Sequence, residues 1–203
     1  VPLYEEGEST EALKAVPSLG IDPETGKEVF LKKDGTYTTV WDYRDKVVCG
    51  STMPDFRGSV NSFLSFKGIS LNFSLSFEYG AKTYNSTLAE RVEGVDPNNN
   101  ADRRVLKDRW KQPGDKTFFK NIALKEDVSN LTTRFVQDYN VVTLNSITLG
   151  YDFDQELIKK AHLGMLRLEI GANDLLRISS VKAERGLSYP FARSVNFSIK
   201  ATF

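Results

Sequence analysis

The residues best suited to chemistry lie between positions 96 and 119. Asp108-Arg109-Trp110 together with Phe118-Phe119 brings a guanidinium near three aromatic side chains. Exposed aromatics and arginine dominate protein binding hot spots, so Arg109, Trp110, Phe118 and Phe119 are candidates for stacking on a ligand or touching a partner. The competing reading has Trp110 and Phe119 packing their own loop onto its neighbours, and it takes precedence. Asp96-Pro97-Asn98-Asn99-Asn100-Ala101-Asp102 offers oxygen ligands at alternate positions, as a calcium loop does. Ala101 stands where such a loop needs glycine, however, and Lys107 where the closing glutamate belongs, so a solvated turn is expected there. His162 falls in a polar turn and is read as a surface residue. Cys49 has no histidine or acid placed to activate a thiolate and is read as structural. No nucleophile elbow, phosphate loop or array of metal ligands occurs, so neither an enzyme nor a bound metal or cofactor is expected.

Composition narrows the field further. With 203 residues the chain makes one large domain or two small ones. Lys plus Arg and Asp plus Glu are equal at 27 each, which argues against nucleic acid as a partner, since that role wants a concentrated basic surface. The single cysteine excludes an internal disulfide. No apolar run approaches the length of a membrane-spanning helix, a fact with no bearing on membrane barrels, whose strands alternate. The opening Val1-Pro2-Leu3-Tyr4-Glu5-Glu6 lacks a basic segment followed by an apolar one. Either a signal peptide has been removed or the chain is a piece of something longer, and the second is the expectation.

The elements that must carry these residues are strands. Ser194–Phe203 alternates without a break, with Val195, Phe197, Ile199, Ala201 and Phe203 on one parity and polar residues on the other. Residues 59–66 and 69–79 form a hairpin if Lys67-Gly68 is a two-residue turn. Phe66 then faces Ile69, Leu64 faces Leu71, Ser62 faces Phe73 and Val60 faces Leu75, with Phe63 the one apolar residue on the polar face. Residues 139–152 change phase between Leu144 and Ile147, which an extra residue at Asn145-Ser146, a β-bulge, reconciles. A further strand spans 165–173, with Leu166, Leu168, Ile170 and Ala172 opposite in facing to Arg167, Glu169, Gly171 and Asn173. Asp154 caps a short helix in the connection 153–164. Residues 1–58 read as a long, partly ordered loop. They hold a short helix near 8–14 capped by Ser9 or Thr10, and extended pieces at 27–32 and 36–41 divided by Asp34-Gly35. The long connection 80–138 carries a helical stretch at 103–110, and 174–193 is a loop.

The connections at 67–68, 80–138, 153–164 and 174–193 alternate shorter with longer. Outer-membrane barrels have short periplasmic turns and long outer loops on alternate ends. Five strands do not close such a barrel, and open edges in lipid leave backbone groups unpaired. Either these strands are one part of a larger all-β, antiparallel up-and-down transmembrane barrel, or the sheet is soluble. The alternative is a soluble β-sheet adhesion or carbohydrate-binding module, its apolar faces meeting as a sandwich core.

Several runs resemble one family. They are Ser18-Leu19-Gly20-Ile21-Asp22-Pro23-Glu24-Thr25-Gly26-Lys27-Glu28-Val29-Phe30, Gly50-Ser51-Thr52-Met53-Pro54-Asp55-Phe56-Arg57-Gly58, Asn61-Ser62-Phe63 and Phe66-Lys67-Gly68. Further along stand Asp108-Arg109-Trp110-Lys111-Gln112-Pro113-Gly114-Asp115, Asn145-Ser146-Ile147-Thr148-Leu149-Gly150-Tyr151, Gly171-Ala172-Asn173-Asp174-Leu175, Tyr189-Pro190 and Phe203. In this order they resemble the carboxyl-terminal third of SusC-like TonB-dependent transporters of the Bacteroidetes outer membrane. The resemblance implies a barrel of about 22 strands around an internal plug, to which this chain contributes roughly the last five. It also implies a SusD-like surface lipoprotein as partner, TonB acting through a part absent here, outer-membrane lipid around the wall, and a glycan or peptide as cargo. Residues 1–58 and the two long connections are then extracellular. Phe203 becomes a barrel-assembly signal as well as an interfacial aromatic, since assembly adds strands at an edge. In that setting the glycosylation-like tripeptides Asn85-Ser86-Thr87 and Asn130-Leu131-Thr132 carry no weight.

Overall fold

The computed structural model describes residues 6–96, 98, 102–124, 130–160, 162–182 and 193–203. The chain divides into two compact units, one of residues 1–53 with 81–138 and one of residues 54–80 with 139–203.

The second unit is built on a five-stranded antiparallel sheet. Its strands are β6 (Phe56–Phe66), β7 (Ile69–Tyr84), β8 (Val136–Asp152), β9 (Met165–Ser179) and β10 (Ser194–Thr202), in the spatial order β10-β9-β8-β7-β6. Each strand pairs with its neighbour in sequence, which is an up-and-down meander. The β6–β7 register joins Phe66 to Ile69, Leu64 to Leu71, Ser62 to Phe73 and Val60 to Leu75, as the two-residue turn requires. Lys67 and Gly68 take φ of 47° and 81°; two successive positive values make a primed turn, whose twist matches the strands it joins. Asp154 accepts from the Glu156 N–H at 2.9 Å and starts the one-turn helix α1 (Gln155–Lys159).

Expectations about strand extent are corrected at four strand ends, the first being β6, which begins at Phe56 and not at residue 59. β7 runs on to Tyr84 and β8 begins at Val136, so the connection between them is 85–135, and β9 extends through Ser179 into what was read as loop. Alternation reports a strand only where its two faces meet different surroundings, and it lapses in these outer ends although the backbone ladder continues. The register slip also lies where expected, between Leu144 and Ser146. Relative to β9, however, only Asn145 is skipped on β8, against Asp174 and Leu175 on β9, so the surplus residue belongs to β9. Asp174 takes a φ of 52° to absorb it.

The first unit holds a two-stranded sheet, β1 (Ala12–Ala15) with β5 (Val47–Ser51), and a three-stranded one of β2 (Ser18–Ile21), β3 (Glu28–Leu31) and β4 (Tyr37–Thr38). The helix expected near 8–14 is absent, because Ala12–Ala15 finds a partner strand more than thirty residues away. Local propensity yields to tertiary pairing in so short a run. The Asp34-Gly35 turn does divide two paired strands, β3 and β4. Residues 103–110 do not form a helix of that length; a single 3-10 turn, Arg103–Leu106, is capped by Asp102, and Asp108 then turns with φ 56°. Ala89, Val92, Val105, Phe119 and Phe135 make a hydrophobic core for this unit. A segment read as loop therefore owns a core of its own.

Candidate functional site

Two features of the chain are candidates for function: the two-faced sheet and the packed loop unit. On the sheet, one face is apolar and open. Val195, Phe197 and Ile199 of β10 are 68%, 64% and 61% exposed, and Ile170, Leu149, Phe66 and Phe56 are exposed with them. Because Phe197 pairs with Ile170, and Ile170 with Leu149, these side chains form rows across the strands. The self-contained sandwich is thereby corrected, since that alternative requires this face to be buried within the chain.

The other face is polar and cross-linked. The Arg167 guanidinium donates to Asp152 Oδ2 at 2.6 Å, Glu169 Oε1 at 2.7 Å and Ser70 Oγ at 2.8 Å. Glu169 Oε2 receives Lys200 Nζ at 2.7 Å and Ser198 Oγ at 3.2 Å. One network thus links β7, β8, β9 and β10. Arg167 crosses β8 to reach Ser70 because position 150 is glycine: a Cβ there would lie 2.6 Å from Ser70 Oγ and 2.7 Å from Arg167 Nη2. Ser76 with Asn145, and Asn173 with Ser194, add further bonds between strands.

In the loop unit the four candidate contact residues all turn inward. Arg109 is 5% exposed, and its guanidinium donates to four backbone carbonyls. These are Val105 at 2.8 Å, Lys120 at 3.3 Å, Val92 at 2.5 Å and Glu93 at 3.1 Å. Val92 and Glu93 close a π-helical turn, Leu88–Glu93, whose last carbonyls have no helical partner, and the arginine supplies one. Trp110 is 8% exposed and donates from Nε1 to the Pro23 carbonyl at 2.7 Å. Phe118 and Phe119 meet edge to face at 5.0 Å, and Phe118 meets Phe135 in the same way at 5.7 Å. So Arg109, Trp110, Phe118 and Phe119 are brought together, but as the inside of the loop, in line with the packing reading. Their hydrogen-bonding groups and ring faces are taken up by the protein itself.

Gly26 shows how tight this packing is. It holds a φ of 69°, and a Cβ there would fall 2.6 Å from the Trp110 ring. Gly26→Ala is expected to cost about 1–2 kcal/mol through the left-handed backbone alone, and more through displacement of the indole. Faster proteolytic cleavage near residues 108–121, with an unchanged barrel signal in circular dichroism, is the expected result.

Sequence reasoning missed the most deeply buried charges. Arg134 donates to Glu28 Oε1 at 3.0 Å and Oε2 at 2.7 Å, to Glu93 Oε1 at 2.8 Å and to the Phe118 carbonyl at 2.6 Å, and it also pairs with Glu93 Oε2. Its guanidinium lies 4.4 Å from the Phe135 ring centroid. Burial disfavours the charge on Arg134, but hydrogen bonds to Glu93 and Glu28 outweigh it and hold the pKa above the ordinary arginine value. Glu28 stands 106 positions from Arg134 and Glu93 stands 41, so no local spacing could announce the cluster.

Of the remaining expectations, Cys49 Sγ donates to the Leu13 carbonyl and burial pushes its thiol pKa up, which suits a structural residue. His162 is exposed at a φ of 58°. Most of the calcium-like run lies outside the described residues, and Asp102 is engaged with Arg104. Tyr189-Pro190 also lies outside them.

No family model matches the chain. It is 27% identical over 159 residues to TonB-dependent receptor P3 of Formosa agariphila, across 78% of this chain and 15% of that protein. It is 24% identical to TonB-dependent receptor P39 of the same organism, across 73% of this chain and 14% of that one. The model superposes on the RagAB peptide importer in its open-open state with a TM-score of 0.74 and 19% identity, covering 95% of this chain and 22% of that one. A second RagAB peptide transporter structure gives a TM-score of 0.69 with 20% identity, over 85% of this chain and 20% of that one. The sequence is thus similar to TonB-dependent receptors of a Bacteroidetes organism, and the fold to that of the RagAB importer chains. The five-stranded sheet has the fold of an arc of an antiparallel up-and-down β-barrel, and its five strands do not close on themselves. The chain spans about one seventh of the length of the curated relatives it matches and about a fifth of the solved chains.

Proposed function

We propose that this chain is a section of barrel wall, with its outer loops, in a SusC-like outer-membrane transporter for glycan or peptide nutrients. The transporter works with a SusD-like surface lipoprotein and draws energy from TonB through parts of the protein beyond these residues. The observation that carries this reading is the sheet itself: an open apolar face, a charged and cross-linked face, and a meander that superposes on a known importer. The apolar face meets lipid and the polar face meets the lumen, with Asn72, Ser74, Ser76, Glu78, Arg167, Glu169, Asn196 and Ser198 lining it. Residues 1–55 and the connections 85–135 and 180–193 lie on the extracellular side, with Phe56–Gly58 already in the wall as the start of β6. Arg109, Trp110, Phe118 and Phe119 keep those loops in shape and do not touch cargo.

The test is a strain lacking the gene. Growth on a peptide mixture or on a complex glycan as sole nutrient should fail for one of them and return with the full gene, and a protonophore should abolish the uptake. The protein should fractionate with the outer membrane and copurify with a surface lipoprotein. Unchanged growth on both nutrients, with the protein in a soluble fraction, defeats the proposal.

Phe203 is 96% exposed and continues the apolar row of β10. As an assembly signal, its replacement in Phe203→Ser should reduce heat-modifiable, folded barrel in the outer membrane several-fold while total synthesis stays constant. Equal amounts of folded barrel would leave Phe203 only its interfacial role.

A further inference from the structure

The three-stranded sheet of the loop unit loses a strand part-way. Phe30 of β3 pairs with Thr38 of β4, and two positions nearer the turn Lys32 donates to the Thr36 carbonyl at 2.9 Å. In an antiparallel ladder the residues that exchange bonds with one neighbour alternate, so Lys32, Phe30 and Glu28 all direct their N–H and C=O groups towards the β4 side. Residues 27 and 31 point the other way: the Lys27 carbonyl accepts from the Asp22 N–H at 2.8 Å, and Leu31 donates to the Pro17 carbonyl at 3.0 Å. Continued by two residues, the β3–β4 ladder would set Glu28 opposite Val40. Instead β4 ends at Thr38. The Val40 N–H turns back to Thr38 Oγ1 at 3.0 Å, and Trp41 Nε1 donates to the Leu131 carbonyl at 3.3 Å. Among the described residues, nothing pairs with the Glu28 N–H and C=O on that side.

A cleft of about 200 Å³ opens at this gap, lined by Glu28, Phe30, Thr39, Val40, Trp41 and Asn130. Both oxygens of the Glu28 carboxylate accept from Arg134, so what Glu28 has left to offer the cleft is its backbone. A donor and an acceptor side by side on a strand edge are complementary to one residue of extended chain, which returns a C=O and an N–H at the same spacing. Phe30 and Trp41 give the recess an apolar wall, and an indole fixed before binding loses little freedom when a side chain packs on it. The volume is below the roughly 300 Å³ at which whole drug-sized ligands are held, so a single residue suits it. We infer that the cleft takes one extended, apolar residue of a nutrient peptide, which pairs its backbone with Glu28 in the position a continued β4 would fill. The inference rests on the proposed uptake role for its source of peptide, and it narrows the cargo from glycan or peptide to peptide.

The test uses the full polypeptide purified in detergent, with acetyl-leucine-methylamide as the probe, followed by saturation-transfer NMR and by amide hydrogen exchange. The probe should bind saturably in the millimolar range, with no dependence on salt, and should slow exchange of the Glu28 amide. Its analogue with both amide nitrogens methylated has no donor and should bind about three- to tenfold more weakly, the effect of one hydrogen bond. Galactose should not displace the probe. Val40→Trp changes an exposed side chain, should keep the fold, and should abolish binding by filling the recess. No saturable binding, equal binding of the methylated analogue, displacement by galactose, an unchanged Glu28 amide or an unaltered affinity in Val40→Trp overturns the inference. Binding is measured without growth or uptake, so the subsite can fail while the transporter reading stands, and uptake can fail while the subsite still binds.

Discussion

Replacing Arg134 with methionine is expected to destabilise the loop unit by about 3–5 kcal/mol, the cost of leaving a buried charge without its partner. Glu28 and Glu93 would both lose their guanidinium in a place where the three side chains are 7% exposed or less. The Phe118 carbonyl would lose its donor and the Phe135 ring its cation. The effect should be local, because the partners of Arg134 all belong to residues 1–53 and 81–138. Amide exchange is the suitable measurement: protection around residues 28, 93 and 118 should collapse while the ladder of β8, β9 and β10 keeps its own. Adding Glu28→Gln and Glu93→Gln to Arg134→Met should recover part of the loss, since two uncharged amides replace two stranded carboxylates. Arg134→Lys is not a conservative control, because one ammonium cannot span two carboxylates, a carbonyl and a ring. Undiminished protection in Arg134→Met would mean that the apolar core alone organises the loops.

The second large effect is on the wall. Leu168→Arg and Phe73→Arg are each expected to cost about 2–4 kcal/mol in the assembled barrel, the penalty for a cation near the middle of the bilayer on a lipid-facing position. Ser74→Asn, on the other face, should cost little. Leu168 pairs with Tyr151 on one side and Ile199 on the other, so the introduced guanidinium would sit in an apolar row with no carboxylate in it. Urea titrations of the full barrel in lipid vesicles, read by heat-modifiable migration, measure the difference. Equal tolerance at Leu168 and Ser74 would remove the assignment of faces, and a chain that folds as a monomer without detergent or lipid would remove the membrane.

Much of the wall was legible because its code is short-range. A strand between two unlike media repeats every second residue, so Ser194–Phe203 and the hairpin around Lys67-Gly68 announced their faces and register without reference to anything distant. The same code fell silent where the surroundings stopped differing, and so the outer ends of β7 and β9 and the beginning of β8 went unread. The loop unit was opaque for the opposite reason. Its framework of Arg109 on four carbonyls, Arg134 between two glutamates and Trp110 over Gly26 joins residues up to 106 positions apart, and no periodicity spans such gaps.

By itself, then, the sequence determined an antiparallel wall with one apolar and one polar side, its tight turn and the family it resembles, because these follow from alternation and local turn chemistry. Only the tertiary structure decided that the aromatic-arginine segment at 108–119 is interior framework and that the long loops enclose a charged core. Those outcomes depend on which distant carboxylates and carbonyls reach a buried guanidinium, and folding alone brings them within hydrogen-bonding distance.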